Sequence, residues 1–272
     1  MKKLSNIFIL IAISLLLASC QGLLNYELEE YAITEMISSS YHAHFDPSIE
    51  TEDLINELSL ETMQSNVTVF TTVYTPILMF RSNESRYFGS GVIFFENDLF
   101  YYVLTNEHVA SLTPDTTTAS YTLTDYQNNE IKAYLYEGSL SVEHDLAVLF
   151  FEKSDKVYPV IDLNQNPLSI GDQVIAVGQP EGQKNTITFG EVEAFTQTNV
   201  KNRYDETISR DFLAIKHTAY VNSGSSGGML LNYNLELVGI NFAGAEDEGN
   251  HVYTFSIPVS IILEYFEELI NA

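Results

Sequence analysis

Three short stretches of the sequence carry side chains that could act together in nucleophilic chemistry. His108 comes just after an apolar run, Asp145 directly precedes another, and Ser226 stands in a turn rich in glycine and serine at 222–228. A serine hydroxyl becomes an effective nucleophile only when a base removes its proton during attack. A neutral imidazole can be that base, and a buried carboxylate fixes its tautomer and stabilises the imidazolium that forms. The chain order His, Asp, Ser is one of the orders in which such triads occur.

The glycines around Ser226 would allow the backbone to stabilise the oxyanion that forms during the reaction. The backbone N–H groups of Gly224 and Ser226 must converge on the oxyanion that forms when the serine attacks a carbonyl group. A side chain at residue 224 would hinder that turn. The sequence therefore predicts the catalytic residues His108, Asp145 and Ser226, with an oxyanion hole formed by Gly224 and Ser226.

Each stretch is weak evidence by itself. A lone histidine after a strand is more often structural, a lone aspartate is more often a turn residue, and a Gly/Ser-rich stretch is more often a flexible loop. His144 is interpreted as a surface residue, because neighbours on a strand point to opposite faces. His217 and His251 have no partner that the sequence identifies. No spacing typical of a metal site is present, so neither a metal nor another cofactor is predicted.

Short strands are the elements that must position these residues. From Asn66 onward, β-branched and aromatic runs alternate with Gly, Asn, Asp and Ser turns, which indicates an all-β sandwich or barrel. Residues 152–170, which include Pro159 and Pro167, are predicted to join two such barrels. Residues 259–271 return to helical spacing and predict one closing helix.

The chain resembles serine proteases of the chymotrypsin fold, and among them the bacterial HtrA (Deg) type. The resemblance covers about residues 66–272 and rests on several strings in register, which are Gly89-Ser90-Gly91-Val92-Ile93, the stretches around His108 and Ser226, Asp145-Leu-Ala-Val-Leu, 171–178, 188–190, 236–241 and 255–258. It implies two six-stranded antiparallel β-barrels with the catalytic groups in the cleft between them. It also implies protein or peptide substrates and an acyl-enzyme intermediate. Ser225 departs from the Asn or Asp that the family usually has before the nucleophile, and no PDZ domain is expected after the closing helix.

The resemblance also places a substrate pocket. In this fold the residue six positions before the nucleophile sets the pocket floor, here Tyr220, and a later strand near Phe242 sets its wall. Tyr220 supplies no carboxylate to pair with a buried Lys or Arg side chain, whose charge would be costly to bury alone. Val221 and Phe242 would make the pocket apolar and narrow. Cleavage after small or medium aliphatic residues is therefore expected.

The first twenty residues are typical of a processing signal. Lys2 and Lys3 precede an apolar run at 7–18 that is short for a membrane span. The run ends in Leu17-Ala18-Ser19-Cys20, which resembles the lipobox of bacterial lipoproteins, where the cysteine is acylated. We therefore expect a signal peptide at 1–19 and lipidation at Cys20, which would tether the protein to a membrane of the bacterial cell envelope. An ordinary signal peptide with a chance cysteine is the alternative.

Composition narrows the remaining choices. The 272 residues include 37 acidic and 12 basic side chains, a formal charge of −25, which argues against a nucleic-acid partner. The single cysteine excludes an intramolecular disulfide and a zinc site built on several thiolates. Residues 20–65 are acidic with helical spacing and are predicted to be a helical spacer before the domain at 66–272.

Three functions remain open from the sequence. The leading one is a membrane-tethered serine endopeptidase that clears or processes proteins at the cell surface. A catalytically inert protease-fold binding module is the alternative from another class. The third is a protease that cleaves only itself. The sequence does not indicate an oligomeric state.

Overall fold

The computed structural model describes residues 62–78, 81–113, 116–164, 166–179, 186–201, 207–246 and 252–271. The predicted signal peptide, the lipidation at Cys20 and nearly all of the predicted spacer lie outside these ranges; of the spacer, only the 3₁₀ turn Thr62–Ser65 is described. Among the described residues, no helix combines the length and hydrophobicity that a membrane span requires.

Six strands form the first closed barrel. They are β1 (Asn66–Leu78), β2 (Arg81–Glu96), β3 (Phe100–Thr105), β4 (Thr118–Thr124), β5 (Glu130–Leu135) and β6 (Ala147–Glu152), in the spatial order β1-β2-β3-β6-β5-β4. A single helical turn, α1 (Glu107–Ala110), follows β3. All pairings in this barrel are antiparallel.

Six further strands close the second barrel. They are β7 (Gln173–Gly178), β8 (Thr186–Thr196), β11 (Ala214–His217), β12 (Met229–Leu231), β13 (Leu237–Glu246) and β14 (Val252–Pro258), in the order β11-β14-β13-β12-β7-β8. Strands β9 (Asn199–Lys201) and β10 (Thr207–Ser209) pair as a separate ribbon. Helix α2 (Val259–Asn271) follows β14. The predicted pair of six-stranded antiparallel barrels with a C-terminal helix is confirmed.

Strand β3 shows how the two barrels share one core. All six of its residues are buried, and alternate residues face opposite sides of a strand. Tyr101 and Val103 therefore pack inside the first barrel, whereas Phe100, Tyr102 and Leu104 contact a second cluster that contains residues of both barrels. Strands β6 and β7 are divided between clusters in the same way. The surface between the barrels is consequently apolar.

Helix α2 packs against β13 and β14 of the second barrel and also contacts the first barrel. Its buried side chains include Ile262 and Phe266, which are four residues apart and lie on one face. The Phe266 ring stacks on Phe94 of β2 with 5.1 Å between centroids. The Tyr265 hydroxyl donates a hydrogen bond of 2.6 Å to the carbonyl oxygen of Ser139. The helix thus holds the barrels together near the loop before β6.

Candidate active site

The pairing of His108 with Asp145 is the most direct chemical feature of the site. His108 lies on α1, and its Nδ1 is 3.0 Å from both carboxylate oxygens of Asp145. The backbone N–H of His108 also donates to Asp145 Oδ1 at 3.2 Å. The Asp145 side chain is 1% exposed and that of His108 is 36% exposed. A buried carboxylate next to Nδ1 selects the tautomer with the proton on Nδ1, which leaves Nε2 as the basic nitrogen.

Asn106 ties the loop of Asp145 to the residues before His108. The Asn106 Nδ2 group donates 2.9 Å to the carbonyl oxygen of Asp145. Asp145 has a φ of 55°, in the left-handed region that few residues other than glycine adopt. Together with the two bonds from His108, this contact fixes the backbone and the carboxylate of Asp145.

Glu107 introduces a second acid next to the pair. Burial raises the pKa of the Glu107 carboxyl, and the negative charge of Asp145 raises it further. A hydrogen bond from Ser111 and the charges of His108 and Arg210 act in the opposite direction. Four ionisable groups therefore interact around α1.

The turn that carries Ser226 requires glycine on steric grounds. Gly224 and Gly227 have φ values of 98° and 84°. A Cβ atom on Gly227 would lie 2.0 Å from the carbonyl oxygen of Ser90 and 2.5 Å from Thr105 Oγ1. The turn is therefore pressed against β2 and the end of β3.

Gly89 on β2 brings the nucleophile turn next to the histidine segment. A Cβ atom on Gly89 would lie 2.7 Å from Val109, the residue after His108, and 3.0 Å from the carbonyl oxygen of Ser226. That carbonyl accepts a 2.6 Å hydrogen bond from the backbone N–H of Ser90. The segments that carry His108 and Ser226 thus meet at one point of β2, where the two barrels join.

Ser90 also orients the peptide groups beside the nucleophile. Its hydroxyl donates 2.9 Å to the carbonyl oxygen of Gly224 and accepts 3.0 Å from the N–H of Gln179. Within the described residues, neither the Gly224 N–H nor the Ser226 N–H donates a hydrogen bond to a protein acceptor. These are the two donors predicted for the oxyanion hole, and that role stays a prediction.

Ser225 is buttressed by close packing. A Cβ atom on Gly178 would lie 2.6 Å from the Ser225 Cβ and 2.7 Å from its Oγ. The Ser225 side chain therefore fills the space over the end of β7, and a larger side chain would have no room without a shift of that strand.

A buried polar network supports the nucleophile turn from the second barrel. The Gly227 N–H donates to the carbonyl of Asn241, and the Asn241 N–H donates to the carbonyl of Gly228, at 2.8 and 2.9 Å. Ser256 Oγ donates 2.9 Å to Asn241 Oδ1. Because that hydroxyl proton is engaged, His217 Nε2, which is 2.9 Å from Ser256 Oγ, acts as the donor to it. His217 is fully buried. Its partner Ser256 lies 39 residues further along the chain, so no local sequence pattern predicts this contact.

This buried histidine makes stability depend on pH. Burial lowers the pKa of His217 to about 3, from an ordinary value of 6.5. Between these pH values His217 binds a proton in the unfolded chain but not in the folded chain. Stability is therefore lost as the pH falls from 6.5 towards 3. Between about pH 7 and pH 5 we expect this site to lower the free energy of unfolding by about 2 kcal/mol. His217→Gln, which keeps an N–H donor but does not ionise, should remove that part of the slope in urea unfolding followed by circular dichroism. An equally steep slope in the variant would contradict it.

The predicted pocket residues lie in different surroundings. Tyr220 is 47% exposed, and its carbonyl accepts a 2.7 Å hydrogen bond from Thr188 Oγ1. Phe242 is buried and faces Phe212 with 6.1 Å between ring centroids. Val221 packs against the core of the second barrel. Their assignment to one substrate pocket stays a prediction.

His144 is not a surface residue, contrary to the expectation from strand alternation. It is 4% exposed, because residues 142–145 form a turn in which alternation does not apply. Its Nδ1 lies 2.9 Å from Ser141 Oγ and 3.7 Å from Glu268 of α2. The donor atoms of His144, Glu264 and Glu268 lie within 4.8 Å of one another. The contacts with Ser141 and Glu268 explain the position of His144, and we assign no metal to this group.

Two comparisons relate this sequence to known proteins. The profile of the trypsin-like peptidase domain matches residues 89–240, more than half of the chain. A probable periplasmic serine endoprotease DegP-like of Bartonella henselae is 34% identical over 185 residues, which cover 68% of this chain and 33% of that protein. The corresponding protein of Rhizobium meliloti is 32% identical over 184 residues, with 67% and 33% covered. The periplasmic serine endoprotease DegP of Escherichia coli is 29% identical over 185 residues, with 67% and 36% covered.

The matched segment spans only about a third of each of these relatives. The profile match at 89–240 contains His108, Asp145 and Ser226. The segments of His108 and Ser226 meet at Gly89 of β2, and Asp145 contacts His108. The chain belongs to the trypsin-like peptidase domain family, and the DegP and DegP-like endoproteases are among its relatives.

Proposed function

We propose that this chain is a membrane-tethered serine endopeptidase that hydrolyses peptide bonds through His108, Asp145 and Ser226. The observation that carries the proposal is the pairing of a buried carboxylate with a partly exposed imidazole beside a glycine-bounded serine turn. A protein that only bound peptides would have no use for that arrangement. The relatives described as periplasmic serine endoproteases support protein substrates in the cell envelope.

The geometry supports a two-step acyl transfer. Ser226 Oγ attacks the scissile carbonyl carbon while His108 Nε2 takes the hydroxyl proton. The carbonyl oxygen becomes an oxyanion, which the N–H groups of Gly224 and Ser226 stabilise. Collapse breaks the C–N bond, and His108 returns the proton to the leaving amine. Water then attacks the acyl-enzyme with His108 again as the base, which frees the acid product and restores Ser226.

A fluorophosphonate probe tests this proposal without a known substrate. An activated serine displaces fluoride and forms a stable phosphonyl ester. We expect the full chain to be labelled, Ser226→Ala to be unlabelled, and Ser223→Ala to be labelled like the wild type. Ser223 is the matched control because it is exposed in the same loop. An unlabelled but folded wild type, or labelling of Ser226→Ala, would sink the proposal and leave the inert binding module as the better function.

The tether rests on Cys20, which lies outside the described residues. Lipidation of the cysteine that directly follows the signal peptide would hold the protein on the membrane without a spanning helix. We expect Cys20→Ser to move the protein of intact cells from the detergent phase to the aqueous phase of a Triton X-114 partition. Retention of the variant in the detergent phase would show that the anchor lies elsewhere.

The proposed pocket of Tyr220, Val221 and Phe242 leads to a preference for cleavage after small or medium aliphatic residues such as Val, Ala and Ile. Lys and Arg should be worst, because no carboxylate is proposed at the floor. Selectivity by size should be modest, since one methylene in such a pocket is worth only about 1–3 kcal/mol. Mass spectrometry of the new termini in denatured protein substrates measures this preference. A clear majority of cuts after Lys or Arg would refute the pocket assignment but not the triad.

A further inference from the structure

A buried arginine contacts the acid of the proposed triad. Arg210 lies between β10 and β11, and its Nη2 is 3.3 Å from Asp145 Oδ2. The two side chains are 5% and 1% exposed. Arg210 Nη1 donates a hydrogen bond to the carbonyl oxygen of Val142, in the same loop as Asp145. Burying a guanidinium is costly, so an arginine placed here needs a partner that offsets its desolvation.

The Asp145 carboxylate therefore serves two partners at once. Oδ1 accepts from the backbone N–H and from Nδ1 of His108, while Oδ2 lies 3.0 Å from His108 Nδ1 and 3.3 Å from Arg210. The guanidinium is always charged, whereas the imidazole is charged only when protonated. The permanent positive charge of Arg210 beside the carboxylate weakens the attraction that Asp145 can offer to a protonated His108.

We propose that Arg210 is a positioning residue that holds the Asp145 carboxylate against His108, and that its fixed charge offsets part of the support that this carboxylate gives to a protonated imidazole. This inference rests on the proposed function, because it assigns Arg210 a role in that same site. The other titratable groups near the pair are Glu107 on α1 and His144, whose Nδ1 faces Ser141 and Glu268. Glu107, when ionised, acts in the direction opposite to Arg210, because a negative charge favours the imidazolium.

The test follows the rate of fluorophosphonate labelling of the full chain between about pH 5 and pH 9. Arg210→Gln removes the charge and keeps a donor for the Val142 carbonyl. In the plot of labelling rate against pH, the rise on the acidic side (the acid limb) should move up by about one pH unit for this variant. Labelling at pH values below the midpoint of that rise should then be about tenfold slower than in the wild type. Arg210→Lys should keep the wild-type limb, and Glu107→Gln should move it down. Arg210→Met, also without charge, is used in place of Arg210→Gln if that variant does not fold.

A merely structural role predicts a different result. If Arg210 only supported the fold, the uncharged variants would label more slowly at every pH with the acid limb unmoved, and the inference would be overturned. The ¹⁵N chemical shifts of the His108 ring, followed against pH in Ser226→Ala with and without Arg210→Gln, test the same point without activity. A wild type that is never labelled contradicts the proposed function, whereas an upward shift of that NMR titration still supports the role of Arg210. No shift in the NMR titration overturns it.

Discussion

We expect Ser226→Ala or His108→Ala to lower kcat by about 10⁴–10⁶-fold, and the double variant to lose little more. The two side chains act in one proton transfer, so removal of either already abolishes the attack. The kcat of the single and double variants is measured by steady-state kinetics. The substrate is a peptide that contains one of the cleavage sites identified by mass spectrometry. Substrate binding does not require the proton transfer, so KM should change far less than kcat.

Additive losses in the double variant would contradict this interpretation. They would mean that His108 and Ser226 contribute independently, for instance because another group is the base. The fixed geometry between Asp145 and both the ring and the backbone of His108 argues against such a replacement.

The second large effect is expected from Gly227→Ala. Its Cβ would meet the Ser90 carbonyl oxygen at 2.0 Å, a backbone atom that cannot move without distorting β2, and the residue has a φ of 84°. We expect the free energy of unfolding to fall by about 2–4 kcal/mol. We also expect kcat to fall by about 10²–10³-fold, because the displaced turn misplaces the Ser226 N–H. Urea unfolding and steady-state kinetics measure the two effects separately.

Gly171→Ala is the matched control for this variant. Gly171 has a φ of 92°, but an added Cβ would find no atom within 4 Å. Gly171→Ala should therefore lose only the free energy that a left-handed backbone costs an alanine, about 1–2 kcal/mol, and should keep the wild-type kcat. If both variants lost the same stability and activity, the steric argument for Gly227 would be wrong.

The fold was predictable because its determinants are local. Runs such as those of β3 and β6 are short and continuously apolar, which is typical of strands buried on both faces. The turns between them are marked by residues that favour turns, and α2 has clear helical spacing. The segments of the proposed triad were recognisable for the same reason, since each lies within a few residues of a strand end.

The supporting residues of the site were not predictable in this way. Ser90 belongs to a recognised string, but its contacts to Gly224, Ser226 and Gln179 depend on the docking of two barrels. Arg210 lies far along the chain from Asp145 and carries no motif. The surface assignment of His144 was wrong, because strand alternation was applied to a turn. Contacts between distant segments follow from the topology, which local patterns do not encode.

The shared core between the barrels links inactivation to aggregation. The outward faces of β3 and β6 in the first barrel, and of β7 in the second, are covered only while the barrels stay docked. Undocking would separate Ser90 from the Ser226 turn and, in the same step, expose an apolar surface that attracts other chains. Heat or acid that inactivates this protein by undocking the barrels should therefore also make it aggregate. We expect no state that is inactive but still soluble.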